Sequence, residues 1–580
     1  MSEKEYVPAP WLLGHGARFR MTSAAAAGRS GPWACPAKTA HGARLMANSV
    51  TVADRSGWRR RWDDSERLNF SVLPAMRAVA GGLSIAEAAA AEPALTPPQR
   101  RFLEHALHEL ADLPDLACDS AGAVLELAER SYYSGDEWGE IYSTGPEFAS
   151  ADGAVRESVR TRLKAVKGLR LPTGEPSDEA LDFVAVAAFV LTRANPGASR
   201  IRVSEFSLHT GAYEVLFDGD PARARAMYAE RGRPVVQALA GTAVRPGSQC
   251  GTCDMVTMCP APTKLDGALG LPEPAVALRA VTSTDLSAYD FCPTKFHAQR
   301  RSHLPARPRE RGAVENTAAR DRGIAVHALL KLAHSGRATG CLAAGPDGCS
   351  AASWPALPEP GEPLPDGLDE LLGAARVSVE QYAVARPYLL SHVEHCLLGF
   401  AGLGNVQVEP RHVAYDADAD VVLVAEPDLT LRSGTAGPVW RETKTTTRLL
   451  PASAQEALNA YPAFAFNVAL LAAGIEGNAR EDGVAELEVL APAHIDEGGA
   501  VQGRGAVFVV SLAEGPLVAL AQRLVAGIAR AWSQDLRFEP RPSTACETCP
   551  VYGWCLPPEV AVPPQREADD REFLGVPDPF

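Results

Sequence analysis

A run of about 18 apolar residues, the least that spans a bilayer as a helix, is absent from this chain of 580 residues. A membrane-embedded protein is therefore not expected, and the longest apolar stretches, Ala180 to Leu191 and Phe464 to Gly474, read as buried helices. The opening MSEKEYVPAP has no basic stretch followed by an apolar core, which leaves a cytoplasmic location as the expectation. Lysine is scarce beside Ala, Gly, Pro and Arg, a bias that reads as coding composition rather than function. An excess of positive charge is missing too. The net charge of −15 excludes broad, nonspecific coating of nucleic acid, which needs clustered Lys and Arg, but it leaves room for a local basic groove. Arg59, Arg60 and Arg61, then Arg300 and Arg301, then Arg307, Arg309 and Arg311 are the candidate patches, with a plain solvated surface as the alternative. The phosphate loop G-x-x-x-x-G-K-[ST] does not occur, so any unwinding motor is expected to be a separate partner.

What is present is ordinary in bulk and unusual in its cysteines. Hydrophobic residues make up 46% and charged residues 22%, as in a soluble globular protein, and the length suggests roughly two to four domains. There are 12 cysteines, which in a reducing cytoplasm read as metal ligands or buried thiols rather than disulfides. Cys250, Cys253 and Cys259 form C-x2-C-x5-C, and Cys546, Cys549 and Cys555 repeat that spacing. Each trio has an upstream cysteine in a Cys-Pro-x-Lys setting, Cys35 and Cys292, which precede Cys250 and Cys546 by 215 and 254 residues. A β-like run and a helix-like segment come before each trio: Ile201 to Phe217 and Ala222 to Leu239, then Ala506 to Leu512 and Leu517 to Trp532. The pattern reads as an internal duplication. One copy covers 1–262 and the other 275–560, with a Pro-rich linker at 263–274 and an acidic tail at 561–580. The Gly-, Pro- and Ala-rich stretch from Cys341 to Gly367 reads as an exposed insertion.

The second half carries the candidate chemistry. Thr and Ser residues after Val281 can cap a helix, on which Leu286, Tyr289 and Phe296 recur at near-helical spacing and Cys292 is presented from one face. RDRGIAVHALLKLAH is helical, with Ile324, His327 or Ala328, and Leu332 on one stripe, and His327 by itself reads as a core histidine. Val421 to Leu431 reads as a strand, Ser433 to Pro438 as a turn, and Val439 to Thr445 as a second strand. Alternation places Trp440, Glu442 and Lys444 on one face and Arg441 and Thr443 on the other. A hairpin then sets Asp428 near the level of Glu442. Two carboxylates and an ammonium in one cleft suit a hard divalent cation such as Mg²⁺ or Mn²⁺. The competing reading is a surface E-x-K pair with Asp428 in a turn. Pro451 to Gly474 reads as a helix kinked at Pro462, carrying Gln455 and Tyr461.

Taken in order, the cysteine, the G-x-x-x-H helix, the aspartate, E-x-K, the next helix and the closing C-x2-C-x5-C resemble the PD-(D/E)XK nucleases. They resemble in particular the RecB-like iron–sulfur group, which includes the CRISPR-associated adaptation nuclease and AddB-type subunits. The resemblance covers about 275–560. It implies an α/β, restriction-endonuclease-like mixed sheet flanked by helices, in two tandem copies of which the N-terminal one is degenerate. It implies His327, Asp428 and Glu442 as ligands of Mg²⁺ or Mn²⁺, Lys444 as the catalytic lysine, and Cys292, Cys546, Cys549 and Cys555 as ligands of a [4Fe–4S] cluster. Gln455 and Tyr461 stand for the DNA-positioning Gln-x-x-x-Tyr, although here they are six apart and Ala457 occupies the glutamine slot. The usual Gly-x-x-Asp is Ala425-Glu426-Pro427-Asp428. The implied activity is metal-dependent hydrolysis of DNA, single-stranded or at ends, in repair, recombination or defence. A non-catalytic iron–sulfur scaffold subunit is the alternative. In the first half no such order is found, since Asp152, Glu157 and Lys164 lack strand context. That half is expected to be an inactive lobe whose Cys35, Cys250, Cys253 and Cys259 hold a second cluster, with a zinc site or unrelated thiols as alternatives.

Overall fold

The computed structural model describes residues 19–23, 35–38, 64–92, 95–117, 124–135, 139–163, 177–237, 243–253, 256–257, 259–276, 279–307, 318–335, 349–359, 361–397, 405–432, 437–447, 450–476, 482–495 and 501–555. The chain divides into two units: one of Met1–Ala261, Thr294–Arg307 and Pro550–Leu556, the other of Pro262–Pro293, Pro308–Cys549 and Pro557–Phe580. The acidic tail expected at 561–580 lies outside the described residues. Among the described residues no helix is long and apolar enough to cross a membrane.

In the first unit, helices α1 (Asp64–Ala80) and α2 (Pro97–Ala111) precede a five-stranded sheet. Its order is β1 (Glu126–Ala128), β2 (Glu147–Ala149), β3 (Val155–Arg162), β4 (Arg200–Ser207) and β5 (Tyr213–Gly219). Only β3 and β4 pair in parallel. A parallel pair needs a long crossover, and α3 (Asp178–Ala194) lies within it. Ser177 caps α3 by accepting the Ala180 N–H, and Phe183, Val184, Ala187 and Leu191 pack against Ile201, Val203 and Phe217. The segments 294–307 and 550–556 join this unit through Trp554. Its buried indole N–H donates to the Pro305 carbonyl at 2.8 Å, and its ring meets Phe102 edge-on at 5.2 Å. The unit borders therefore differ from a simple division near residue 262. Glu157, read as lacking strand context, lies in β3, fully buried against Arg202 at 3.2 Å. VRESVRTR hides its alternation, because charged side chains occupy both of its faces.

The second unit holds two sheets. The smaller has the order β7 (Ala280–Thr282), β10 (Val421–Ala425), β9 (His412–Asp416), β6 (Thr263–Leu265). Residues 263–265 are thus strand rather than linker. The larger has the order β8 (Asn405–Val408), β11 (Leu429–Arg432), β12 (Pro438–Thr445), β13 (Val484–Ile495), β14 (Val501–Ser511). Val421 to Leu431 is therefore two strands in two sheets. They part at Glu426-Pro427-Asp428, where proline has no N–H to give to a ladder. Helices α4 (Ser283–Phe291), α5 (Ala318–His334), α6 (Leu368–Ala375), α7 (Val379–Val393), α8 (Ala454–Ala460), α9 (Pro462–Ala472) and α10 (Gly515–Gln534) surround the sheets. The kink expected at Pro462 is a full break between α8 and α9, because proline drives the preceding Tyr461 out of helical backbone, to φ −125° and ψ 87°. A core cluster that includes Trp354 joins α5, α6 and α7 to Leu429, Leu431 and Leu490. The insertion is thus partly internal: Cys349 and Trp354 are 4% and 1% exposed.

The two large sheets share one plan. Order and pairing senses are the same, antiparallel except for the third and fourth strands. In that parallel pair Val155 faces Arg200 and Val439 faces Val484, an offset of 45 residues in each. This is the mixed α/β architecture expected, and it fits tandem copies.

Candidate active site

The hairpin of β11 and β12 sets Leu429 opposite Arg441, and the same register carries on to Asp428 and Glu442. On one face of β12 the Lys444 ammonium lies 2.7 Å from Glu442 Oε1. On the other, Arg441 pairs with Glu486 at 2.7 Å and the Thr443 hydroxyl donates to Glu488 at 3.1 Å. Helix α5 supplies His327, whose Nδ1 is 2.9 Å from Asp428 Oδ1, while the Thr443 N–H donates to Asp428 Oδ2 at 2.7 Å. The apolar face of α5 runs through Ala325, Val326, Leu329, Leu330 and Ala333, and Ile324 is 45% exposed. His327 is therefore half-buried beside a carboxylate, not centred on the apolar stripe.

The four groups act on one another. Burial disfavours the His327 imidazolium, yet the Asp428 carboxylate overcomes this and raises the histidine above its ordinary value. Asp428 is also disfavoured by burial as a carboxylate, yet His327 and Lys444 hold it below the usual range. Glu442 is pushed up by burial against the pull of Lys444, and the nearby Asp428 charge adds to the rise. Lys444 is held above its usual value by Glu442 and Asp428 despite burial. Two carboxylates and an imidazole that act on one another are donor types suited to a small divalent cation.

Asn467, on α9, escaped the sequence reading. It is 2% exposed and its amide donates to Glu442 Oε2 at 3.2 Å. Its Oδ1 is buried with no partner among the described residues, which suits a water molecule carried by a hydrated ion. The signal was there: PAFAFNVALLA is apolar except for this one residue. Asn467→Ala is expected to weaken Mn²⁺ binding by roughly 10-fold, as loss of a group that orients a ligand does. A Mn²⁺ titration checks this, and an unchanged affinity contradicts it. Tyr461 is half-buried and close enough for its phenol to act on Lys444, whereas Gln455 is exposed on α8.

Cys35, Cys250, Cys253 and Cys259 line one cavity of the first unit. The Arg245 N–H donates to the Cys35 sulfur and the Gly247 N–H to the Cys250 sulfur, each at 3.5 Å, and Lys38 donates to Thr252 between the paired cysteines. Burial pushes the Cys250 thiol up to about 11. In the second series Cys292 follows α4 in extended backbone rather than sitting on it, because Pro293 stands next. Arg541 donates to the Asp290 carbonyl, which brings the strand of chain leading to Cys546 and Cys549 to the end of α4. Cys546 lies in a short helical turn, Cys549 caps it, and Cys555 closes the last described helix. All four are half-buried.

Residues 280–556 match the family model of the PD-(D/E)XK nuclease superfamily. The match spans the hairpin, α5, α9 and the second cysteine series, and it leaves the first unit's cavity cysteines outside. No curated protein matches the chain. In the first unit the strand at the place of β12 is β3, and with Val155 at the level of Val439, Ser158 and Arg160 stand where β12 has Glu442 and Lys444.

Proposed function

We propose that the second half of the chain is a divalent-metal-dependent deoxyribonuclease that hydrolyses phosphodiesters in single strands or at ends. The observation that carries this reading is the convergence of His327, Asp428, Glu442 and Lys444 on one edge of the β11–β12 hairpin. His327, Asp428 and Glu442 would hold Mg²⁺ or Mn²⁺, and such an ion supplies Lewis acidity toward a phosphodiester. Lys444 orients the attacking water and offsets negative charge that develops on the phosphoryl oxygen. Asn467 fixes the Glu442 carboxylate. By the resemblance to the iron–sulfur group, Cys292, Cys546, Cys549 and Cys555 are the proposed ligands of a [4Fe–4S] cluster. The first unit is read as a non-catalytic lobe. The absence of E-x-K from β3, beside four cysteines around one cavity, favours that role. Repair, recombination or defence is the proposed setting, with a separate helicase as the proposed partner.

End-labelled linear DNA, single- and double-stranded, is the substrate to compare with covalently closed circles and with RNA. Cleavage of linear DNA with sparing of circles is expected, and equal attack on circles would remove the end-directed part of the proposal. The metal step also has a pH signature. A His327 imidazolium cannot ligate, and Asp428 raises its pKa, so Mn²⁺ affinity is expected to fall as pH drops through that raised value. Calorimetry in buffers of different ionisation heat reads the released proton, and binding without proton release contradicts the assignment.

A further inference from the structure

We infer that the second unit carries a structural zinc site, made of His334, Cys349, His392 and Cys396, behind the nuclease hairpin. All four are buried, and one ligand atom from each lies within 4.8 Å of those of the other three. No other group of three or more His, Cys, Asp or Glu meets that condition among the described residues. The two Nε2 atoms of His334 and His392 are 3.2 Å apart, and the Cys396 sulfur is 3.9 Å from His334 Nε2. Zn–N bonds of about 2.0–2.1 Å and Zn–S bonds of about 2.3 Å give tetrahedral edges of about 3.4 Å between nitrogens and about 3.6 Å between nitrogen and sulfur. The tetrad is spaced for one ion. Two imidazoles and two thiolates in a closed, buried set select zinc over the hard cation of the nuclease site.

The surroundings match as well. His392 Nδ1 lies 2.7 Å from Glu488 Oε1, and Glu488 is fully buried. If Nδ1 donates its proton to that carboxylate, the Nε2 lone pair is turned toward His334, which is the carboxylate–histidine–metal arrangement. Glu488 also accepts from Thr443, whose own N–H holds Asp428. Helix α5 carries His327 and His334 two turns apart. The zinc would thus fix, from behind, both the helix and the strand that supply the nuclease residues. The His392–Cys396 spacing and the lone His334 at the end of α5 went unread in the sequence because their partners sit in separate segments.

Cys349 is disulfide-bonded in the structure, contrary to the expectation of thiols throughout. Disulfide and zinc are alternative states of that sulfur. Two equivalents of a thiol reductant open the S–S bond, leave as their own disulfide, and release the Cys349 thiolate as the fourth ligand.

The test uses the full chain, expressed with zinc, kept reduced and dialysed against EDTA. One equivalent of zinc is expected to remain, and X-ray absorption at its edge should show imidazole and sulfur together. The cysteine series offer no imidazole and the nuclease site offers no sulfur, so a mixed shell is specific to this tetrad. His392→Gln should lose that one equivalent while iron content is unchanged. If that variant fails to fold, the wild-type spectrum decides alone. No retained zinc in the reduced wild type, an all-sulfur shell, or full zinc content in folded His392→Gln would each overturn the proposal.

Discussion

Lys444→Ala is expected to lower the rate of metal-dependent DNA cleavage by roughly 10²–10³-fold, the scale for removing one preorganised charge-stabilising group. Glu442→Gln is expected to cost more. A lost ligand forfeits several kcal/mol of charge stabilisation, and at about 1.36 kcal/mol per decade that is on the order of 10³-fold or beyond. The two variants should part in a Mn²⁺ titration. Lys444→Ala keeps all three ligands and should still bind the ion, whereas Glu442→Gln should bind it weakly. Lys444 lies 2.7 Å from Glu442, so removing the ammonium also leaves the buried carboxylate to the metal and to the Asn467 amide. Retained cleavage in Lys444→Ala, with folding intact by circular dichroism, would contradict the role given to the lysine.

The second large effect is on stability. The cavity lined by Cys35, Cys250, Cys253 and Cys259 is proposed to hold a metal, and Cys250→Ser is then expected to empty it and to lower the melting temperature of the first unit by on the order of 10 °C, as loss of a structural metal does. The apo Cys250 thiol, pushed up to about 11, is protonated at neutral pH. Loading must therefore release its proton, and the metal-dependent part of stability should grow with pH until that proton is lost. Calorimetry with metal analysis reads both. A brown, iron-containing wild type assigns the cavity to iron–sulfur, and a colourless zinc protein assigns it to zinc. An unchanged melting temperature in Cys250→Ser would leave the cysteines as unrelated thiols.

Much of the site could be read from the sequence because its pieces are local. E-x-K on a strand fixes a common face by alternation, and the antiparallel pairing of Leu429 with Arg441, carried one residue further, sets Asp428 at the level of Glu442. Cysteine spacing paired Cys35 with a trio 215 residues later, and the same cavity holds all four. Burial and long-range contacts decide the rest, and neither shows in local pattern. Pro427 cuts an apolar run into strands of different sheets. Trp354, inside a Gly- and Pro-rich stretch, is core because a large ring found space among α5, α6 and α7. Asn467, the single polar residue of an apolar helix, and Glu488, two residues after Glu486 on β13, show no partner until the elements pack, and then each holds a neighbour in the site. Periodicity finds the face of an element but not the partner opposite it.

The most direct test of the central claim is the single-turnover cleavage rate of labelled linear DNA with Mn²⁺, for wild type beside Glu442→Gln. The wild type is expected to cleave, and the folded variant is expected not to. Equal rates in the two, or no cleavage of any DNA by the folded, metal-loaded wild type, would contradict it.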